Sequence, residues 1–545
     1  MKMLQFPERS LPLEPFTRRT VLKGVAGGAA LFIGGSREYS SGSTLEKSVA
    51  QTSGAVPLKD AVSSLSPQAV WENFYQITQI PRPSHHEELV GGYLAQFGND
   101  LGVETLVDDV GNVILRKPAT QSFEGQVGVI LQAHMDMVPQ KDPEKEHDFE
   151  MDPIEAVVED GWVHADRTTL GADDGIGLAL IMTLFQAGDI AHGPLEALFT
   201  VNEEDGMTGA ESLKPGVLQG GMLVNVDSEE EGVFTIGSAG GVNIDATATY
   251  SEETPHDGSA GLRVDIRGLQ GGHSGVDIDK GRGNAIKLLA RLLNSAESTL
   301  DLQVSTLTGG DQYNAIPREA SASIAVQEPD AATMIRFVSA FEATVQLELA
   351  ATEPDIQVLA KPIEVPARVM AKEHQSRMID ALNGVPNGVV RMSDSVSGLV
   401  ETSSNIGKLR VADGQFAAGI LTRSSVDSAR DATREMIESV FSNAGIDTDF
   451  HSEYAGWQPD PTSAIVQLAS ETYHDLFGKD AVLQAIHAGL ETSTVGEKYS
   501  NLEMISIGPT MQNVHSPDER LEAASVEKVY ELLVGILERA SKGGE

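Results

Sequence analysis

An α/β fold with a mostly parallel, mixed sheet and an inserted α+β domain is what the sequence predicts, and three observations predict it. Short apolar runs each end on a cluster of polar groups. The run 127–131 leads into Gln132-Ala133-His134-Met135-Asp136, the run 195–201 into Asn202-Glu203-Glu204-Asp205-Gly206, and Val224-Asn225-Val226 into Asp227. Apolar runs of about four to eight residues read as buried strands, and in an open α/β sheet ligands bind beyond the carboxyl ends of the strands. Segments of helical period lie between them, as at 175–186, where Ile176, Ala179, Leu180, Thr183 and Leu184 form one face. Strand and helix in alternation imply parallel pairing. After Gly240-Gly241 the texture changes, and it returns to α/β alternation past position 445.

The bulk composition bounds the rest. At 545 residues the chain exceeds the size at which one core stops growing, so at least two domains are expected. Its 80 acidic and 39 basic residues leave a formal charge of −41, which argues against nucleic acid or an anionic membrane as a partner. Cysteine is absent. That removes disulfides, thiolate metal ligands, a cysteine nucleophile and a lipidated cysteine anchor.

Taken in order, the chain opens with Thr17-Arg18-Arg19-Thr20-Val21-Leu22-Lys23 ahead of a modest apolar segment, 24–33. This resembles a twin-arginine export signal, and the apolar part is too short and glycine-rich to remain as a membrane span. Ser48-Val49-Ala50 offers a cleavage site. Residues 1–50 are therefore expected to be a leader read by the twin-arginine export machinery, and the mature chain to be periplasmic or extracellular without an integral membrane segment. A linker is expected over 51–65, and folded structure from Ser66-Pro67, with Ser66 as N-cap and Pro67 in the first helical position. Val70, Phe74 and Ile77 continue that helix, and Ile80-Pro81-Arg82-Pro83-Ser84 breaks it before a second one at 87–97. Strands are expected at 104–107 and 113–116, joined by the turn Asp109-Val110-Gly111-Asn112.

Strands at 242–250 and 262–267 and an amphipathic helix at 284–293 form a first module, 241 to about 347. Strands near Leu409 and at 415–421 with a helix at 425–441 form a second, about 355 to 445. The expected domains are thus a catalytic part at 66–240, an inserted two-module domain at 241–445, and a second catalytic part at 446–545. That last part carries helices at 463–477 and 525–540, strands at 482–486 and 503–506, and Val514-His515-Ser516-Pro517-Asp518-Glu519-Arg520.

The polar strand ends suggest chemistry. One imidazole and several carboxylates at neighbouring strand ends would repel one another unless a divalent metal, or a pair, lay between them. His134 and Asp136 point the same way on an extended segment, so Asp136 can fix the tautomer of a metal-binding imidazole. Asp173 sits in a turn between strand and helix, within Gly171-Ala172-Asp173-Asp174-Gly175. Glu203 and Glu204 are adjacent, so one can bind metal while the other faces a water. That division suits hydrolysis, although an acidic turn alone would read as solvated surface.

The series His134, Asp136, Asp173, Glu203-Glu204, Asp227 and His515 resembles the M20 metallopeptidases. Gly271-Gly272-His273-Ser274-Gly275, Asn314-Ala315-Ile316-Pro317-Arg318, His487-Ala488-Gly489-Leu490-Glu491 and His515-Ser516-Pro517-Asp518 are similar to its aminoacyl-histidine (Xaa-His) dipeptidase branch, over about 66–540. The resemblance implies a zinc-exopeptidase-like catalytic domain and two zinc ions, or manganese or cobalt in their place. It implies that His134 and Asp227 hold one ion and Glu204 and His515 the other, with Asp173 bridging and a cis Asp173–Asp174 peptide. Asp136 would orient His134, and Glu203 would be the general base.

The inserted domain resembles the family's lid. By the same resemblance His273 polarises the scissile carbonyl or stabilises the oxyanion, Asn314 and Arg423 hold a substrate carboxylate, and Glu491 lies near a free substrate amine. Against these stand simpler readings, His273 as a helix cap and Arg423 paired with Asp427. Dipeptide hydrolysis is the expected activity, by a monomer or homodimer. The competing readings are an amidohydrolase or carboxypeptidase of N-acyl amino acids and a non-catalytic peptide- or metal-binding protein of the envelope.

Overall fold

The computed structural model describes residues 55–540. The expected leader, 1–50, lies outside the described residues, as do positions 51–54 of the expected linker. From Ala55 onward the chain is already part of the fold. Val56–Pro57 pairs antiparallel with Ala156–Glu159, and a helical turn at Leu58–Ala61 buries Leu58 and Ala61. The expected linker therefore ends eleven residues early, because a single turn is too short for its two apolar contacts to register as a period. The first long helix spans Gln68–Thr78 with Pro67 at the N-cap. Ser66 does not cap it, and its hydroxyl donates instead to Glu527 at 2.7 Å.

An eight-stranded mixed sheet organises the catalytic part. Its strands run in the order Glu104–Val107, Val113–Lys117, Leu195–Thr200, Val129–His134, Met222–Asn225, Glu503–Ser506, Val233–Ser238, Val482–Ile486. The four central strands, from Leu195–Thr200 to Glu503–Ser506, are mutually parallel. They carry the His134, Glu203 and Asp227 ends to one edge. Alternate residues serve the two faces. Val129, Leu131, Ala197, Phe199 and Val224 join the main core, while Ile130, Leu198 and Leu223 join a smaller one with Trp457 and Val495. With both faces covered, these strands read as continuous apolar runs rather than as alternating ones. The helix Ala172–Gln186 packs against the first face, and Ala172 to Phe185 are all buried.

The inserted domain is built on an antiparallel nine-stranded sheet, with the helices Ala285–Glu297, Ala331–Glu348, Lys372–Gly384 and Asp427–Asn443. Leu302–Asp311 pairs with Val400–Ala412 and joins its two halves. Strand membership departs from the expected modules. Gly240–Thr249 pairs with Gln415–Ser424 and Asp447–Tyr454 in the second half. Gln357–Ile363 pairs with Ser259–Arg267 in the first. Each half thus takes a strand from across the expected division near 347–355, and the inserted sheet reaches Tyr454 rather than stopping at 445. Periodicity marks a strand but not its partner, which is chosen by contacts distant in sequence. At the seam the backbones nearly touch, since a Cβ on Gly407 would lie 2.2 Å from the Gln312 carbonyl oxygen. Among the described residues no helix is long and apolar enough to cross a membrane.

Candidate metal centre and cleft

His134 is the last residue of its strand, and Asp227 follows the end of the neighbouring one by two. Glu203 and Glu204 lie just past Leu195–Thr200, and Asp173 opens the helix that crosses behind. The Asp173–Asp174 peptide is cis, as the resemblance implied. His515 arrives from the distant carboxyl-terminal part. Its Nε2 stands 3.0 Å from Asp173 Oδ2 and 3.0 Å from Glu204 Oε1. His134 Nε2 stands 3.1 Å from Asp173 Oδ1 and 3.5 Å from Asp227 Oδ1. The structure brings all five expected ligands together, with one carboxylate, Asp173, facing both imidazoles.

These spacings fit a pair of cations. Ligands at about 2.0–2.1 Å in a tetrahedral shell stand about 3.3 Å from one another. Glu204 Oε1 is buried, and the one group set against it above, His515 Nε2 at 3.0 Å, is not aligned to hydrogen-bond it. The electrostatics point the same way. Burial, with Asp173 adding to it, pushes Asp227 up to about 8. Burial together with Asp227, Glu204 and Asp173 pushes Glu203 up to about 8, against His134. Asp173 and Glu204 raise His515 to about 11. Divalent cations held by these donors would offset the same crowding of buried carboxylates. Asp174 also brings a carboxylate within 4.8 Å of His134 and Asp227. Its oxygens are engaged, accepting the amides of His134 and Gly177 at 3.2 Å each, so it acts as a clamp on the two segments.

Asp136 is fully buried. It lies 3.3 Å from His134 Nδ1 and accepts the amides of Glu203 at 3.0 Å and Glu204 at 3.3 Å and the Ser84 hydroxyl at 2.8 Å. Burial opposes its charge, but His134 and these donors outweigh burial and hold it down to about 2. One carboxylate thereby registers the His134 strand against the Glu203-Glu204 turn.

Two supports escaped the sequence reading. The buried guanidinium of Arg82 donates to the carbonyls of Met135 at 2.9 Å, Asp136 at 2.6 Å and Gly171. A Cβ on Gly175 would lie 2.5 Å from its Nη2, so the glycine there makes room for Arg82. Glu519, also buried, accepts amides of the Asp173 loop from Leu170 at 2.8 Å, Gly171 at 3.0 Å and Ala172 at 2.8 Å. Neither forms a local pattern. The one trace of Arg82 in the sequence is its place between two prolines. Removing one member of a buried charged network leaves the others unpaired. Arg82→Met is accordingly expected to cost about 3–5 kcal/mol of stability, read as a lower urea midpoint.

A cleft of about 1130 Å³ opens over the metal donors. Glu203, Glu204 and His515 line it from the catalytic part, and His273, Asn314 and Arg423 from the inserted domain. His273 Nδ1 accepts the amides of Gly275 at 3.1 Å and Val276 at 3.3 Å. The ring therefore does cap a turn, which places its proton on Nε2. Burial and the nearby Arg423 lower its pKa, which favours the neutral ring. Arg423 is buried and donates to the Tyr454 hydroxyl at 2.7 Å, while its Nε has no partner. It does not pair with Asp427, which lies 3.3 Å from Arg430 instead.

Glu491 is the exception among the expected site residues. It is buried off the cleft wall, accepting from Gln132 at 2.6 Å and Thr200 at 2.8 Å. Burial and the adjacent Glu203 push it up to about 8. It opens the helix Glu491–Lys498, whose packing turns it inward, so the cleft is lined by Gly489 and Thr494 instead.

Comparison with known proteins agrees with this geometry. The chain is 40% identical over 476 residues to the cytosol non-specific dipeptidase of Escherichia coli (strain K12), covering 87% of this chain and 98% of that one. Its fold superposes on the crystal structure of an aminoacylhistidine dipeptidase from Vibrio alginolyticus with a TM-score of 0.85 at 40% identity, over 88% of this chain and 98% of the other. An aminopeptidase from Bacillus cereus shares the fold at 17% identity and a TM-score of 0.51, over 87% of this chain and 99% of that one. Residues 130–539, which carry every expected metal ligand, match the model described as Peptidase family M20/M25/M40, and the chain belongs to that family.

Proposed function

We propose that this peptidase hydrolyses dipeptides, aminoacyl-histidine dipeptides among them, at a pair of zinc ions for which manganese or cobalt are alternative occupants. The observation that carries the reading is Glu203, a carboxylate on the cleft wall beside the metal donors. In this reading His134 and Asp227 would hold one ion and Glu204 and His515 the other, with Asp173 shared between them. When bound, such a pair supplies Lewis acidity and makes water a nucleophile near neutral pH. Glu203 takes the proton from the attacking water and returns it to the leaving amine. His273 offers Nε2–H to the carbonyl oxygen, and Arg423 with Asn314 holds the terminal carboxylate. Closure of the inserted domain as a lid would exclude water from the cleft.

The relatives' names support this substrate class, one being called a non-specific dipeptidase and the other an aminoacylhistidine dipeptidase. The test is hydrolysis of β-Ala-His, Ala-Ala and their N-acetylated counterparts by the metal-loaded protein. A dipeptidase loses most activity when the amine is blocked. Faster cleavage of the blocked compounds would favour the N-acyl hydrolase, and binding of metal without cleavage of any would favour the envelope binding protein. Arg423→Lys is expected to raise KM about tenfold with kcat largely kept, because an ammonium lacks the planar fork that binds a carboxylate through two bonds.

The twin-arginine pattern at 17–23 supports export, and the joined halves of the inserted sheet support activity in a monomer, since one chain carries both. Fractionation of the producing cells tests the first, with the active protein expected outside the cytoplasm. Sedimentation of the active species tests the second, and activity confined to dimers would overturn it.

A further inference from the structure

Three neighbouring strands of the inserted sheet set Arg423, Gly241 and Tyr454 side by side, with Gly241 opposite Arg423 on one flank and opposite Tyr454 on the other. A Cβ on Gly241 would lie 2.6 Å from the Tyr454 hydroxyl oxygen and 2.7 Å from Cζ. The glycine leaves the ring free to lie across its strand, and the hydroxyl meets Arg423 Nη1 at 2.7 Å. Pairing with the Tyr454 strand shifts register between Gly241 and Asn243, and Ser452 there takes a φ of +51°. A bulge of this kind re-aims the side chains beyond it. The Tyr454 backbone is held from elsewhere, its carbonyl accepting from the buried guanidinium of Arg430 at 2.7 Å. A Cβ on Gly489 would lie 3.1 Å from Tyr454 Cε2, so the ring also packs against the catalytic part.

Arg423 is a buried cation whose guanidinium makes one hydrogen bond among the described residues, to a neutral phenol rather than to a carboxylate. Ser403, opposite Arg423 on its other flank, is engaged by His487 at 2.7 Å instead. A guanidinium only donates, so Tyr454 accepts in this contact and its phenolic proton is left over. That proton has no acceptor among the described residues. Donation from a cation polarises the phenol and strengthens its own O–H as a donor. Tyr454 and Arg423 line the same cleft. A cation without a counter-charge and a spare hydroxyl proton, side by side on one wall, suit an anion that has two acceptor oxygens.

Resting on the dipeptidase reading, we infer that Tyr454 positions Arg423 through its hydroxyl oxygen and binds the terminal carboxylate of the substrate through its hydroxyl proton. The carboxylate then takes one hydrogen bond from the phenol beside those from the guanidinium. A compound without that carboxylate gains from neither donor, so Tyr454 selects for dipeptides with a free carboxyl end.

The test uses the metal-loaded full chain and Tyr454→Phe, which keeps the ring across Gly241 and removes only the hydroxyl. Ala-Ala is the substrate, and alanine N-ethylamide, the same molecule with hydrogen in place of its carboxyl group, is the competitive inhibitor. Tyr454→Phe is expected to raise KM for Ala-Ala about ten- to hundredfold with kcat within about twofold, because a hydrogen bond to a charged group is lost from ground and transition state alike. Metal content should be unchanged, and the inhibition constant of alanine N-ethylamide should stay within about twofold of the parent's. A hydroxyl that only braces the cleft wall would move both constants together. An equal rise in both constants, an unchanged KM, or a fall in kcat without a rise in KM overturns the inference. Failure of the dipeptidase reading itself is distinguishable, because the unmodified parent would then leave Ala-Ala intact.

Discussion

Glu203→Gln is expected to retain both metal ions and lose about 10²–10⁴-fold in kcat, the range over which a positioned general base contributes. The substitution keeps the shape of the side chain and removes only its ability to accept and return a proton. Glu203 is not among the donors that converge on Asp173, so the metal count should survive. The backbone of Glu203 is held independently of its side chain, through its amide to Asp136. Metal analysis beside single-turnover kinetics separates the outcomes. Loss of metal together with activity would move Glu203 into the ligand set. Full activity with both ions present would remove it from the mechanism.

Asp173→Asn should cost metal as well as turnover. Each oxygen of this carboxylate faces a different imidazole, His134 at 3.1 Å and His515 at 3.0 Å. An amide keeps the volume, but its nitrogen cannot accept and its charge is lost, so one of the two bridging contacts fails outright. Electrostatic stabilisation by bound cations is worth several kcal/mol, and at 1.36 kcal/mol per decade its loss lowers activity by about a thousandfold or more. The expected metal content is at most one ion per chain. Folding should persist, because the loop that carries Asp173 is held through its backbone amides by Glu519 rather than through the side chain. A circular dichroism spectrum matching the parent's, beside the lowered metal content, is the expected pair of results. An Asp173→Asn protein with two ions and normal turnover would mean that the bridge lies elsewhere.

Much of the catalytic part was legible because its signals are local. The strand ending at His134, the helix after Asp173 and the strand at Glu503–Ser506 lie where apolar runs and helical periods place them. Of the ligand set that the resemblance implied, His134 ends a parallel strand and Asp227 follows another, and such strands deliver their last residues to one sheet edge whatever their neighbours are. The inserted domain was less so. Its strands showed in the pattern, but the exchange of Gly240–Thr249 and Gln357–Ile363 between halves did not. Glu491 was placed near the substrate by its motif, and helix packing buries it behind the cleft.

By itself, then, the sequence determined the succession of strands and helices and the chemistry at the strand ends, since both depend on residues near one another in the chain. Only the tertiary structure decided which strands pair, which acidic groups face the cleft, and that Arg82 and Glu519 hold the Asp173 loop from positions far away in the chain. Those outcomes depend on the cost of leaving buried charges and backbone amides unpaired, and that cost exists only once distant segments have been brought together.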